Sequence, residues 1–514
     1  MVVARHDDRV AEVADPPAAA AVRFEGAKGR WILLATVLGS GVAMLDATVV
    51  NLALPRMGED LDAGVAGLQW ILNGYLLALA SLILLGGSLG DRYGRRRVFL
   101  VGVVWFAAAS LLCGIAPSTE LLVAARVLQG VGGALLTPGS LAIIQASFVP
   151  ADRGRAIGAW SALGGIATAV GPFLGGYLVD AASWRWIFLL NLPVAAVVVL
   201  VTLAHVPETS DPSMAEGLDV TGAVLGAAGL AGVTYALVEG PEAGWTSVTI
   251  LGAAAVGILG LVTFVLNEQR SSHPMLPLDM FASVQFTSAN AVTFAVYGAL
   301  GGALFLLGLQ LQQVVGYTPL AAGAAFFPVT IIMLALSQRA GALATRIGPR
   351  LPMTVGPIVA GLGLALMTRI DEGGTYLGDV LPAVGVFGLG LALTVAPLTT
   401  AVLAAADDRH AGIASGVNNA VARVAGLLAI SVLPVAAGIT GADYRDADAF
   451  ARGFDRGVTM AAVLSVLGGL LAWATIRGGG LAGGTDASPQ AHDAHCGIGA
   501  PPLQETARPA RGSS

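Results

Sequence analysis

The sequence predicts an all-α polytopic membrane protein, built as two related six-helix bundles with two further helices inserted between them. Three observations predict it. The 514 residues are 55% hydrophobic and only 12% charged, with a mean hydropathy of +0.77, a balance that suits a chain dissolved in lipid rather than a soluble globule. Fourteen apolar runs each reach about the 20 residues a helix needs to cross a bilayer. The chain also repeats itself: GSLGDRYGRR at 87–96 returns as GALATRIGPR at 341–350, Asp152-Arg153 as Asp408-Arg409, and Gly130-Val131-Gly132 as Gly388-Leu389-Gly390. Parallel repeats of this kind are a transporter arrangement, with the substrate site near mid-membrane between the halves.

The spans are expected at 31–54, 68–89, 98–116, 121–146, 155–180, 185–204, 218–238, 248–267, 285–314, 320–343, 351–369, 379–402, 411–437 and 457–476. The repeat makes 30–206 the first bundle, 207–284 the two inserted helices and 285–477 the second bundle. Residues 1–29 are polar, Ala/Pro-rich and of mixed charge, and read as a mobile cytoplasmic arm rather than a cleavable signal. Residues 478–514 are rich in Gly, Pro, Ala and Ser and read as a disordered tail. With both termini inside, fourteen arginines and lysines flank the spans on the inner side against six on the outer, leaving out the distant Arg5, Arg9, Arg508 and Arg511 and the in-span Arg126, Arg339 and Arg423. That bias places both termini in the cytoplasm.

Other classes of activity find no support. The G-x-x-x-x-G-K-S/T loop of an ATP-driven pump is missing, and no Cys/His cluster suggests a metal, so neither cofactor nor metal is expected and the chain is not read as an enzyme. Cys113 and Cys496 make no disulfide framework. The net charge of −6 says little about partners because topology partitions the basic residues, and no nucleic acid is expected. One lysine, Lys28, stands against 26 arginines, a coding bias that with the Ala and Gly excess suggests a GC-rich bacterium.

The turn between the second and third spans, GGSLGDRYGRRR at 86–97, is the densest motif. Arg92, Arg95, Arg96 and Arg97 mark a cytoplasmic turn. Gly86, Gly87, Gly90 and Gly94 permit close backbone approach and a sharp reversal. Asp91 ends the preceding helix beside the basic cluster, whereas the second copy carries Thr345 and Pro349 where the first has Asp91 and Arg95. The two turns are therefore expected to differ in energy.

This order of Gly, Asp and Arg resembles the signature loop of major facilitator transporters. Four more stretches extend the resemblance: Leu45-Asp46-Ala47-Thr48-Val49-Val50-Asn51 running to Leu54-Pro55; Arg126-Val-Leu-Gln-Gly-Val-Gly-Gly; Gly171-Pro172-Phe-Leu-Gly175-Gly176, with Ala167 where the motif usually has glycine; and Trp184-Arg185-Trp186-Ile-Phe to Asn191-Leu-Pro193. Together they are similar to the fourteen-helix drug:proton antiporter branch, the EmrB/QacA type, and more strongly so in the first half. The resemblance implies a major facilitator fold in a bacterial cytoplasmic membrane. It implies proton-driven export of small hydrophobic or toxic compounds, with protons, a small-molecule substrate and the bilayer as partners and a monomer by default. It also implies that Gly87, Gly90, Asp91, Arg92, Gly94, Arg95 and Arg96 form a cytoplasmic gate, with Asp91 near the start of the thirteenth span. The alternatives are an importer or symporter on the same fold and, from another class, a non-transporting membrane sensor.

Asp46 is the first candidate for proton coupling. An acid inside a span is expensive and usually faces a cavity or a partner. At ~1.5 Å per residue from Trp31 it lies ~23 Å from the inner surface, and Arg126 lies at a similar level, ~8 Å below the outer start of the fourth span. The two are expected to be electrostatically coupled, the alternatives being a structural acid bonded to a neighbouring helix and an arginine that snorkels outward. Gly171, Pro172, Gly175 and Gly176 read as packing architecture and a bend in a gating helix. Asn51, Tyr75, Asn290, Gln310 and Gln313 are the candidates for substrate contact, with interhelical hydrogen bonding as the rival reading for the amides.

Overall fold

In the computed structural model, which describes residues 22–210, 217–405, 411–441, 444 and 446–477, the regular structure is helical apart from one isolated bridge between Val22 and Phe148. The helices are α1 (Ala27–Leu61), α2 (Val65–Tyr93), α3 (Arg95–Ile115), α4 (Thr119–Ser147), α5 (Pro150–Ala181), α6 (Trp186–Leu189), α7 (Asn191–His205), α8 (Val220–Ala243), α9 (Val248–Arg270), α10 (Val284–Gln313), α11 (Pro319–Ala325), α12 (Phe327–Ile347), α13 (Arg350–Leu366), α14 (Leu381–Ala404), α15 (Ala411–Ala436) and α16 (Ala447–Thr475).

Thirteen helical segments among the described residues are long and apolar enough to cross a membrane. The expected fifth span is occupied by α5, a helix of 32 residues. Two expected spans are each broken into two helices. α6 gives way to α7 at Leu190, with Pro193 in the first turn of the new helix, and α11 gives way to α12 at Phe326, with Pro328 in the same place. Proline lacks the N–H that would continue the preceding ladder, so the break falls one turn ahead of it. The largest boundary difference is at α16, which starts at 447 rather than 457, on a polar first turn capped by Asp446.

The arm is not wholly free as expected. Val22 N–H donates to Ser147 C=O at 2.8 Å, Val149 N–H donates to Val22 C=O at 3.2 Å, and Phe24 N–H donates to the Asp152 carboxylate at 2.9 Å. Residues 22–26 are thereby pinned to the α4–α5 turn. The rest of the arm, the tail from 478 and the Asp408-Arg409 pair lie outside the described residues.

Packing follows the sequence repeat. In the first half α2 and α3 lie on α4, α1 on α5 and α7, and α3 on α7; in the second, α12 and α13 lie on α14, α10 on α15 and α16, and α13 on α16. The repeated glycines mark matching contacts. A methyl group added at Gly132 would sit 2.7 Å from the Phe106 nitrogen on α3, and one at Gly390 would collide with Ala360 on α13. Small residues here let helix backbones touch, the means by which helices cohere where lipid is as apolar as leucine. α8 and α9 pair through Gly232 and Gly257, and α8 leans on both α2 and α15. There Trp70 Nε1–H donates to Glu239 at 2.7 Å.

Candidate functional site

The structure brings Asp46 and Arg126 into contact. Arg126 Nη1 lies 2.5 Å from Asp46 Oδ2, and both side chains are 1% exposed. α1 supplies the acid and α4 the base, and Gly130 and Gly133, on the same helix as Arg126, let α4 approach Tyr75 of α2 closely. A buried ion pair survives desolvation only if its remaining donors and acceptors find partners, and here Asp46 Oδ1 and Arg126 Nε and Nη1 all have them. Gln129 Nε2–H donates to Asp46 Oδ1 at 2.9 Å and to Ser110 Oγ at 2.9 Å. Arg126 Nη1–H also donates to Gln129 Oε1 at 2.6 Å, and its Nε–H to the Ile71 carbonyl at 3.0 Å. Asn191 Nδ2–H, from the break between α6 and α7, donates to the same Ser110 hydroxyl at 3.2 Å. The guanidinium lies over the Tyr75 ring at 4.5 Å and the Phe188 ring at 5.7 Å, which adds cation–π attraction in a dry setting.

Gln129, Ser110 and Asn191 were not anticipated as members of this cluster. Gln129 carried a usable signal, since three residues beyond Arg126 puts it on the same face of α4. Ser110 and Asn191 carried none, because one serine and one asparagine in long apolar runs cannot be assigned a direction without the fold. With a proton on Asp46, Arg126 would keep its hydrogen bonds to the Gln129 and Ile71 carbonyls but lose its buried counter-charge, which those bonds offset only in part. With both side chains sealed, exchange with either aqueous phase requires the helices to move.

The glycine–proline motif of α5 has two faces. A methyl at Gly171 would sit 2.5 Å from Thr48 Oγ1, and one at Gly175 would collide with Val49, both on α1. A methyl at Gly176 would sit 2.6 Å from the Pro319 carbonyl of α11, and one at Gly323 of α11 would collide with the Pro172 carbonyl. Positions 171 and 175 thus serve the first half, and 172 and 176 serve the second. The seam lies at the end of the molecule away from the arginine-rich turn. There Leu320 N–H donates to Asp180 at 3.0 Å, Gln312 to the Leu52 carbonyl at 2.9 Å, Gln69 to the Ile430 carbonyl at 2.7 Å, and Asn73 to Ser431 Oγ at 3.0 Å. The halves are tied together at this end by direct polar contacts.

At the other end Asp91 accepts from Arg95 Nε–H at 2.7 Å, and Gly94 turns the chain with φ +108°, which glycine alone adopts without strain. Glu208, beyond α7, accepts from the Arg96 backbone N–H at 3.1 Å, and the Arg97 guanidinium lies 3.6 Å from it. Arg95 N–H donates to the Thr209 carbonyl at 2.8 Å, and Arg92 lies 5.3 Å from the Tyr93 ring centroid. The four glycines differ. A methyl at Gly86 would collide with the Ala134 carbonyl of α4, whereas at Gly87 and Gly90 the nearest atoms are 3.7 and 4.0 Å away. In the second copy Gly348 keeps the left-handed turn, φ +87°, while Thr345 Oγ1–H only returns to the Ala342 carbonyl at 2.8 Å. α2 runs beside α15, but the stretch 406–410 that precedes α15 lies outside the described residues.

The five candidates for substrate contact are not brought together. Tyr75 is buried under Arg126. Asn51 bonds back to the Ala47 carbonyl. Asn290 accepts from Asn418 at 3.2 Å, near the start of α10, and Gln310 donates to the Ile370 carbonyl at 2.7 Å. Gln313 lines a cavity of about 640 Å³ at the far end with Pro55, Glu59, Gln312, Tyr317 and Tyr444. Asn290 and Gln310 therefore act as interhelical ties.

Comparison with known proteins bears on the family and the fold. A sequence model of the Major Facilitator Superfamily matches residues 36–430. The multidrug resistance protein Stp of Mycobacterium tuberculosis is 38% identical over 402 residues, 78% of this chain and 74% of its own. The tetracenomycin C resistance and export protein of Streptomyces glaucescens is 35% identical over 427 residues, 82% and 78% of the two chains. The methylenomycin A resistance protein of Streptomyces coelicolor is 37% identical over 403 residues, 78% and 84%. A solved POT peptide transporter in complex with sulfate superposes with a TM-score of 0.65 at 15% identity, over 89% of this chain and 96% of that one. At that identity the likeness speaks for the fold alone.

Proposed function

We propose that this chain, which belongs to the Major Facilitator Superfamily, exports small toxic or antibiotic-like compounds in exchange for protons, by alternating access across a bacterial cytoplasmic membrane. It is a membrane transport protein, not an enzyme. Export is supported by relatives named for multidrug resistance and for tetracenomycin C resistance and export. Proton coupling rests on one observation, the sealed Asp46–Arg126 pair with Gln129 bridging both.

In the proposed cycle, opening toward the outside lets Asp46 take a proton, which loosens its hold on Arg126. Opening toward the cytoplasm returns the proton and restores the pair. The residues of the Gly86–Arg97 turn serve as the cytoplasmic gate and the Gly171–Gly176 seam as the opposite closure. The arrangement that fits is the fourteen-span, EmrB/QacA-type one, with both termini cytoplasmic. Its bundles are 30–206 and 285–477, with 207–284 inserted; the matching packing pairs of the two halves support it. α8 then sits where the halves meet, beside α2 and α15, with α9 packed on α8.

The test is proton flux in everted vesicles with an acidified lumen. Adding compounds from a panel of antibiotics and lipophilic toxins should release lumenal protons in proportion to uptake of the compound. Uptake of every transported compound without any proton movement would rule out the antiport.

A further inference from the structure

Arg423 is a charge in the middle of a helix that no acid among the described residues pairs with. It lies twelve residues into α15, which runs from Ala411 to Ala436. That is ~18 Å from either end, far more than an arginine side chain can span to reach water. The side chain is half-buried. Among the described residues it has no hydrogen bond and no ion pair, and the acids of the first half and of α8 have other partners: Asp46 has Arg126 and Gln129, Asp91 has Arg95, and Glu239 has Trp70.

Its direction is fixed by its helix. Gly416, Ala420 and Arg423 recur at offsets of four and three, one stripe of α15. Gly416 meets Leu84 of α2, and Ala420 packs with the first-half cluster that contains Tyr75 and Leu79. Arg423 continues the stripe on α15, a helix that packs on α2 and on α10. It therefore stands on the side of α15 that meets the first half, whose buried charges Asp46 and Arg126 are paired with each other. Because those two cancel, the junction carries one uncompensated positive charge among the described residues. A mid-span cation without a protein partner is costly and usually faces a cavity or a substrate path, and a guanidinium is suited both to bidentate anion binding and to stacking on rings.

We infer that Arg423 is the fixed positive charge of the compound site, and that it takes the carboxylate or phenolate of an aromatic substrate, so that acidic compounds are carried in preference to lipophilic cations. The inference rests on the export reading and narrows its substrate class.

The test uses the full-length protein in nanodiscs of zwitterionic lipid and two dyes on one xanthene frame, anionic carboxyfluorescein and cationic rhodamine 123, with binding read by fluorescence polarisation. Wild type should bind the anion at least about tenfold more tightly, the scale of one charge-assisted contact. Arg423→Gln should bring the ratio to within about twofold, and Arg423→Lys should keep the anion preference. Should Arg423→Gln not fold, competition in wild type replaces it: tetraphenylborate should displace carboxyfluorescein and tetraphenylphosphonium should not. Equal binding, cation preference, binding of neither dye, or a preference that survives Arg423→Gln overturns the assignment. Export of rhodamine 123 by everted vesicles without anion preference would sink it while leaving the export reading intact; absence of transport of any compound would sink the export reading itself.

Discussion

Gln129 holds the oxygen of Asp46 that Arg126 leaves free: its Nε2 lies 2.9 Å from Asp46 Oδ1, while Arg126 Nη1 lies 2.5 Å from Oδ2. One amide thus serves acid and base at once, since its carbonyl accepts from Arg126. Gln129→Leu keeps the volume and removes both roles. The expected outcome is a loss of about 1–3 kcal/mol from unsatisfied buried groups, read as a lower unfolding midpoint of the purified protein. Asn191→Leu, which removes only a donor to Ser110, should cost less.

Adjacent glycines give a sharper test of packing. Gly86→Ala drives a methyl into the Ala134 carbonyl of α4, whereas Gly87→Ala meets nothing closer than Pro138 at 3.7 Å. Backbone cannot yield as a side-chain tip can, so the first variant should lose about 1–3 kcal/mol by overpacking and the second should be near neutral. Similar midpoints for the two would contradict the close approach of α2 to α4.

Most of the helical layout was legible in the sequence because lipid imposes one requirement on every span, a long apolar run with its backbone bonded internally. The breaks at Leu190 and Phe326 were not, although Pro193 and Pro328 were visible, because proline inside a span bends, breaks or is tolerated according to its neighbours. Asp46 and Arg126 were found because charge is rare in spans and their estimated depths agreed. The amides stay ambiguous for the same physical reason that makes them common: Asn290 and Gln310 have protein partners here, and sequence alone does not tell such ties from a ligand contact. The interest of Arg423 lies in a missing partner, which only the fold reveals.

The repeat predicts unequal gates. Asp91 holds Arg95 at 2.7 Å, whereas Thr345 reaches only its own helix. Asp91→Asn should lower transport several-fold with normal amounts of protein in the membrane, and Thr345→Val should change it little. Equal losses in vesicle uptake would refute the asymmetry.

Topology is open to cysteine labelling. Tyr93 is 53% exposed on the arginine-rich turn, and Glu59 is exposed near the other end of α1 with only a surface pair to Arg56. Glu59 is preferable to Asp60, which binds Arg185 and Trp184. In a background lacking Cys113 and Cys496, a membrane-impermeant maleimide applied to intact cells should label Glu59→Cys and spare Tyr93→Cys. Labelling of both would break the proposed orientation.

The proton remains the central question for Asp46. Asp46→Asn preserves shape and still offers an oxygen to Arg126, but it cannot exchange a proton. The guanidinium would keep the Gln129 and Ile71 carbonyls but lose its buried counter-charge, so stability should fall by up to about 3–5 kcal/mol, and the amount of folded protein is measured alongside transport. Substrate-induced proton release from everted vesicles should vanish, and accumulation against a gradient should stop, while binding of uncharged compounds persists. Asp46→Glu restores the titratable group on a longer arm, displaced from Gln129 and Arg126, and should recover part of the coupling with a shifted pH optimum. Measuring proton release and compound uptake in the same vesicles separates lost coupling from lost transport. Uphill, proton-dependent uptake at the wild-type rate in Asp46→Asn would remove Asp46 from the coupling path.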